Sequence, residues 1–345
     1  MVRRLLTIAL LVALAVPARG SELIRLFGDD NVGSAGGQFL KIPVGARGVA
    51  LGKAYVSLAT DGSAPFWNPA GIMRTPGRQN FFFGHSEYTA DIALDYLAVH
   101  TRRQNFGYAL TFGSLRSGDI MRTTELYQQG TGQTFNANQM FAGLTVARAM
   151  TDRFSVGGTV KYYQENLDSY RLSGVLADLG ILYMLGMGDL QVGFSVRNFG
   201  GSLRPGGSPP ALPDGSAPPA DAFQSFSAPT EGSFGASKTW HLARGVGLMT
   251  VADFYHPSDA SETFRMGTEL SLYERLHLRA GYESSRDEGG FAAGFGLQLV
   301  RKQLNLRVDY AYSDMGAFGT VHHVSIDVSP LYKRKPDDAW RRGDR

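Results

Sequence analysis

Charged side chains recur at every second position of otherwise apolar segments, and that is the first chemistry the sequence offers. Lys161, Arg197, Arg265, Arg279 and Arg307 stand in such segments, as do Asp95, Asp178, Asp253, Glu269, Glu283 and Asp309. Acids and bases of both signs at close quarters suit ion pairs that brace a filled interior better than a pore of one sign. Catalytic constellations are missing. There is no cysteine, hence no thiolate nucleophile or thiolate zinc site. The seven histidines form no H-E-x-x-H, and His322 and His323 are neighbours whose side chains point to opposite faces of a strand. No G-x-S-x-G elbow occurs. Gly45–Ala54 has glycines and Lys53 in a loose phosphate-loop pattern, but Arg47 stands where glycine is needed and Ala54 where Ser or Thr would hold magnesium. The expectation is a non-enzyme with no metal and no cofactor.

The elements that position these charges have a period of two. Leu304, Leu306, Val308, Tyr310 and Tyr312 alternate with Asn305, Arg307, Asp309 and Ala311, and Phe264–Leu272, Leu276–Tyr282 and Phe291–Leu299 repeat the pattern. The period predicts fourteen strands, at about 79–88, 93–102, 105–114, 138–149, 154–165, 171–185, 189–199, 230–240, 245–256, 263–273, 276–285, 290–300, 303–313 and 319–329. Connections sort by parity. Those after even strands are short, from Arg103–Gln104 to Arg301–Lys302, whereas Leu115–Ala137 and Gly200–Pro229 both follow odd strands. Bacterial outer-membrane barrels have this asymmetry of rims, while a soluble sandwich or propeller gives no reason for it. Glycine at 43 of 345 residues, with 21 Phe and 15 Tyr, fits many strands and turns and excludes a helical bundle.

Residues 1–20 carry Arg3 and Arg4, an apolar run Leu5–Val16 and small residues at Ala18 and Gly20. They read as a signal peptide cut after Gly20, because the run is too short to cross a bilayer as a helix. Removing Arg3, Arg4 and Arg19 with the leader leaves as many basic as acidic residues, so nucleic acid is not an expected partner. The expected organisation is the signal peptide 1–20, an N-terminal hatch 21–78, an all-β transmembrane antiparallel barrel 79–329 and a charged tail 330–345. Both termini are expected in the periplasm of a Gram-negative-type cell. Segment 21–78 does not alternate, and the economical place for it is inside the barrel.

The densest local pattern lies in that segment. Gly45-Ala46-Arg47 is followed by Ala54-Tyr55-Val56-Ser57-Leu58-Ala59-Thr60-Asp61, and then by Trp67-Asn68-Pro69-Ala70-Gly71. Pro69 keeps Asn68 from continuing a helix, and Gly71 permits a close backbone approach. These strings resemble the PorV/PorQ proteins, within the wider class of FadL-like outer-membrane barrels. The resemblance implies fourteen strands around a hatch that carries Asn-Pro-Ala. It implies outer-membrane lipid as the surroundings. For PorV-like members it implies a role in type IX secretion, with a translocon and its cargo as partners. For FadL-like members it implies passage of apolar small molecules. The expected function is the secretion role, with hydrophobic-molecule transport as the alternative.

Overall fold

A computed structural model describes residues 33–168, 170–207, 224–284, 290–301 and 304–330. The leader, residues 21–32, most of the Pro-rich connection and the charged tail lie outside the described residues. Among those described, fourteen strands form one antiparallel sheet. They are β1 (Gln79–Glu87), β2 (Ala93–Arg103), β3 (Phe106–Arg116), β4 (Ala137–Ala149), β5 (Phe154–Leu167), β6 (Tyr170–Met184) and β7 (Leu190–Gly200), followed by β8 (Glu231–Ala243), β9 (Val246–Pro257), β10 (Thr263–Leu272), β11 (Leu276–Glu283), β12 (Phe291–Arg301), β13 (Leu304–Asp314) and β14 (Thr320–Pro330).

Each strand pairs with its neighbours in sequence, and β1 pairs with β14, for example Phe81 opposite Val328. The sheet therefore closes, which leaves no unpaired edge and allows strands to cross lipid. A short extension, Arg204–Gly207, adds to the upper part of β6. One register shift, between Ala177 and Leu179, puts Asn198 of β7 in the left-handed region at φ 57°. The Asp178 carboxylate accepts from the Asn198 backbone N–H at 2.7 Å and holds that bulge.

The outer face is apolar. Phe81, Phe83, Leu97, Leu110, Leu144 and Leu179 are all exposed, as alternation requires of a lipid-facing surface. No helix among the described residues is long and apolar enough to cross a membrane. The short turns stand at one rim. At one of them Tyr273 and Glu274 both take positive φ, 52° and 55°, the conformation that matches strand twist in tight hairpins. The opposite rim carries the long connections, with a small ribbon of Ile120–Met121 against Thr134–Phe135.

Residues 33–78 fill the lumen. They contain two short helices, α1 (Ala46–Ala50) and α2 (Ala64–Trp67), and two 3-10 turns, Gln38–Lys41 and Pro69–Met73. α1 packs on β11–β14, while the Pro69–Met73 turn packs on β2–β6, so the segment touches opposite walls. It enters at the long-connection rim, where the Gly33 N–H donates to the Asp259 carbonyl, and leaves at the other rim, where Arg102 donates to the Met73 and Gly77 carbonyls. Gly33 thus lies at the rim opposite Pro330.

Candidate functional site

Backbone that leaves water inside a lumen must find partners, or each orphaned group costs about 1–3 kcal/mol. The wall supplies them. Asp253 accepts from the Val56 N–H at 2.9 Å, Asp327 from the Gly62 N–H at 2.8 Å, and Ser325 Oγ from the Ala46 N–H at 3.2 Å. Inward-facing strand residues therefore cap the turns of the segment.

Asn68 joins the segment to the wall. Its amide nitrogen donates to the Val56 carbonyl within the segment and to the Ile181 carbonyl of β6, both at 2.9 Å. Its side-chain oxygen accepts from the Ala70 N–H at 3.1 Å, which caps the turn that begins at Pro69. Ser155 of β5 donates to the Ala70 carbonyl, and the Trp67 indole to the Val44 carbonyl at 3.1 Å. Two glycines make this docking possible. A Cβ on Gly180 would lie 2.2 Å from the Asn68 side-chain oxygen, and one on Gly157 would lie 2.6 Å from Pro69. Gly71 has its own reason: its Cβ would meet the Ala59 carbonyl oxygen at 1.7 Å. Gly45 has φ 81° and Ala46 starts α1, while Arg47 reaches Glu269.

The charges form a chain of alternating sign. Arg47 pairs with Glu269 at 2.9 Å, Glu269 with Arg279 at 2.6 Å, Arg279 with Asp309 at 2.7 Å, Asp309 with Arg307 at 2.8 Å, and Arg307 with Asp61 at 2.6 Å. It begins and ends in the segment and runs across β10, β11 and β13. Burial would raise the Asp61 carboxyl, but the guanidiniums of Arg307 and Arg47 hold it below the ordinary carboxylate range. Elsewhere Lys161 pairs with Asp178 at 2.9 Å, Arg197 with Glu231 at 2.6 Å and Arg265 with Glu283 at 2.9 Å. Lys41 and Lys53 of the segment pair with Asp259 and Glu283.

Of the charges expected in the lumen, the structure places Lys161, Asp178, Arg197, Asp253, Arg265, Glu269, Arg279, Glu283, Arg307 and Asp309 there. Asp95 needs correction. It shares the outward face of β2 with Leu97 and Val99, and pairs with His85 and Arg116 close to the rim. The inward face of β2 is Leu94, Tyr96, Ala98 and His100, all buried. A strand apolar on both faces defeats the assumption that its charge must point inward, and the rim tolerates an outward charge.

Three features escape the strand-based reading: Asp61, Asp259, and the aromatic group of Phe39, Phe66, Tyr96 and Phe141. Asp61 follows the apolar stretch Ala54–Ala59, and a buried partner for an inward arginine could have been sought there. The aromatic group has a signal in the two-sided apolar pattern of β2.

Above the segment, at the long-connection rim, lies a cavity of about 630 Å³. Its floor includes Ile42, Pro43 and Val49, and its wall Tyr88, Leu115 and Tyr255. The cations that reach it, Lys41, Lys53 and Arg265, are each paired with a carboxylate. His323 is held between the hydroxyls of Ser86 at 2.6 Å and Ser313 at 3.1 Å. The site is thus largely apolar with its cations paired, suited to an uncharged guest. Among the described residues no cluster of three or more metal-ligating side chains occurs.

No family model matches the sequence, and no curated protein matches it. Solved structures do share the fold. The chain is similar to the CymD monoaromatic hydrocarbon channel, at 13% identity and TM-score 0.54, covering 84% of this chain and 98% of that one. It is similar to the toluene transporter TodX of Pseudomonas putida, at 12% identity and TM-score 0.55 over the same shares. It also resembles the toluene transporter TbuX of Ralstonia pickettii, at 12% identity and TM-score 0.52, again over 84% and 98%. At such identities the likeness is one of fold.

Proposed function

We propose that this chain is a FadL-like outer-membrane channel through which uncharged apolar small molecules pass, with residues 33–78 as its hatch. The observation that carries the reading is the apolar cavity of about 630 Å³ at the long-connection rim, floored by the buried N-terminal segment. The segment stops water and ions, whereas an apolar guest has a place to leave the aqueous phase. The named channels of similar fold support the reading, since one is a monoaromatic hydrocarbon channel and another a toluene transporter.

The secretion role implied by the PorV/PorQ resemblance has less behind it. Trp67, Asn68 and Ala70 are 0–4% exposed and Pro69 is buried, so the motif offers no surface to a translocon or its cargo. Its residues are accounted for by packing within the segment and against β5 and β6.

The test is uptake of N-phenylnaphthylamine, an uncharged dye excluded by intact lipopolysaccharide that fluoresces on reaching the inner leaflet. Cells expressing the protein are expected to take up the dye faster than cells without it. Hydrolysis of nitrocefin by a periplasmic β-lactamase, which reports leakage of polar solutes, is expected to stay unchanged. Equal dye uptake with and without the protein would overturn the channel reading, and faster nitrocefin entry would overturn the hatch.

A further inference from the structure

The lumen wall is divided by charge. From β5 to β14 it carries the ion pairs described above. On β2, β3 and β4 the inward side chains are uncharged along the whole height except for Arg102 at the short-turn rim. They include Leu94, Tyr96, Ala98 and His100 on β2, Ala109 and Thr111 on β3, and Phe141 and Thr145 on β4, all buried. The segment faces this sector with rings and aliphatic groups. Phe39 lies 5.7 Å from Phe141 and Phe66 lies 6.0 Å from Tyr96, ring centre to ring centre. Lower down, Ile72 and Met73 rest where a Cβ on Gly107 would be, at 3.1 and 2.9 Å.

This sector is continuous with the cavity, because Ile42, Tyr88 and Leu115 both line the cavity and pack against the buried core. It also holds polar atoms without partners. Among the described residues, the Tyr96 hydroxyl and both ring nitrogens of His100 accept and donate no hydrogen bond, at 1% and 2% exposure. Buried polar groups are ordinarily satisfied, and these ones make no hydrogen bond that ties the segment to this part of the wall.

We propose that apolar molecules cross the barrel along this uncharged sector, between β2–β4 and the faces of Phe39, Phe66, Ile72 and Met73. Opening the opposite side would separate buried ion pairs and strand their charges, which is strongly destabilising. Parting two apolar surfaces to admit an apolar molecule replaces the lost contacts with equivalent ones. The guest therefore takes the route on which no ion pair breaks. The proposal rests on the channel reading and names its path.

The chain contains no cysteine, which gives a clean test. Phe39→Cys with Phe141→Cys places one thiol pair across the uncharged sector. Ala50→Cys with Ala311→Cys, two buried residues packed together, places another on the charged side. Each pair is bridged by dibromobimane in whole cells, and N-phenylnaphthylamine uptake is compared with the unbridged form. Bridging the first pair is expected to slow uptake by roughly tenfold or more, and bridging the second by less than about twofold. The reverse pattern, or equal slowing, would overturn the path. Absence of uptake by the parent protein would instead defeat the channel reading. A second measurement uses the unaltered protein and 1-azidonaphthalene. On illumination it should label Tyr96, Ala98, Ala109 or Phe141, whereas labelling confined to β8–β14 would overturn the path.

Discussion

The β10–β14 wall and the β2–β4 wall face the same segment and hold it by different means. On the first, Arg47, Glu269, Arg279, Asp309, Arg307 and Asp61 link segment to strands through consecutive ion pairs. On the second, Arg102 at the short-turn rim aside, contact among the described residues is between rings and small side chains. Ion pairs have fixed geometry and cost much to part once buried, whereas apolar faces slide and refill. The contrast teaches that a filled lumen can be anchored on one side and yielding on the other.

The largest effect that would sharpen the contrast is expected from Arg307→Met. It removes the guanidinium that both buried Asp61 and buried Asp309 pair with, and should destabilise the folded barrel by about 3–5 kcal/mol. The midpoint of heat-modifiable gel mobility measures this, and an unchanged midpoint would break the claim that the charged side anchors the segment. Next comes Asn68→Ala, which removes the donor to the Val56 and Ile181 carbonyls and orphans the Ala70 N–H, for about 1–3 kcal/mol by the same measurement.

At Asp61, acidification weakens the fold. The folded Asp61 carboxyl lies below its unfolded value of about 3.9, so its contribution is complete at neutral pH and is lost as pH falls through the folded value. Trp67, buried against Tyr55 and Phe66, should then report loosening as a fluorescence change at acid pH once the other two tryptophans are removed by Trp240→Phe and Trp340→Phe. Asp61→Asn should reduce that acid dependence. The smallest effect belongs to the uncharged side. Tyr96→Phe removes a hydroxyl that has no partner, and should change stability by less than about 0.5 kcal/mol.

The strands are legible in the sequence because lipid imposes alternation, and because turns sort by rim. Leu304–Tyr312 announces its own two faces. The wall charges are legible for the same reason wherever the outward face is plainly apolar, as with Arg307 and Asp309. The rule fails at Ala93–Val99. There the lumen is occupied by aromatic residues of the segment, both faces of β2 are apolar, and the charge of Asp95 points outward at the rim. The partners of the wall are not legible, since Asp61 and Arg307 are far apart in sequence and only folding brings them to 2.6 Å. The motif Trp67–Gly71 is conspicuous by composition, yet its meaning depends on two wall glycines, Gly157 and Gly180, that no local pattern connects to it.

The central claim is that residues 33–78 occupy the lumen and close it to water while Asn68 and Pro69 hold them to the wall. Ion conductance across planar bilayers tests it most directly, with the parent protein beside Asn68→Ala combined with Pro69→Ala. The parent should show no steady current, and the double variant should conduct while retaining heat-modifiable barrel mobility. A parent that conducts steadily, or a folded double variant as closed as the parent, would contradict the account.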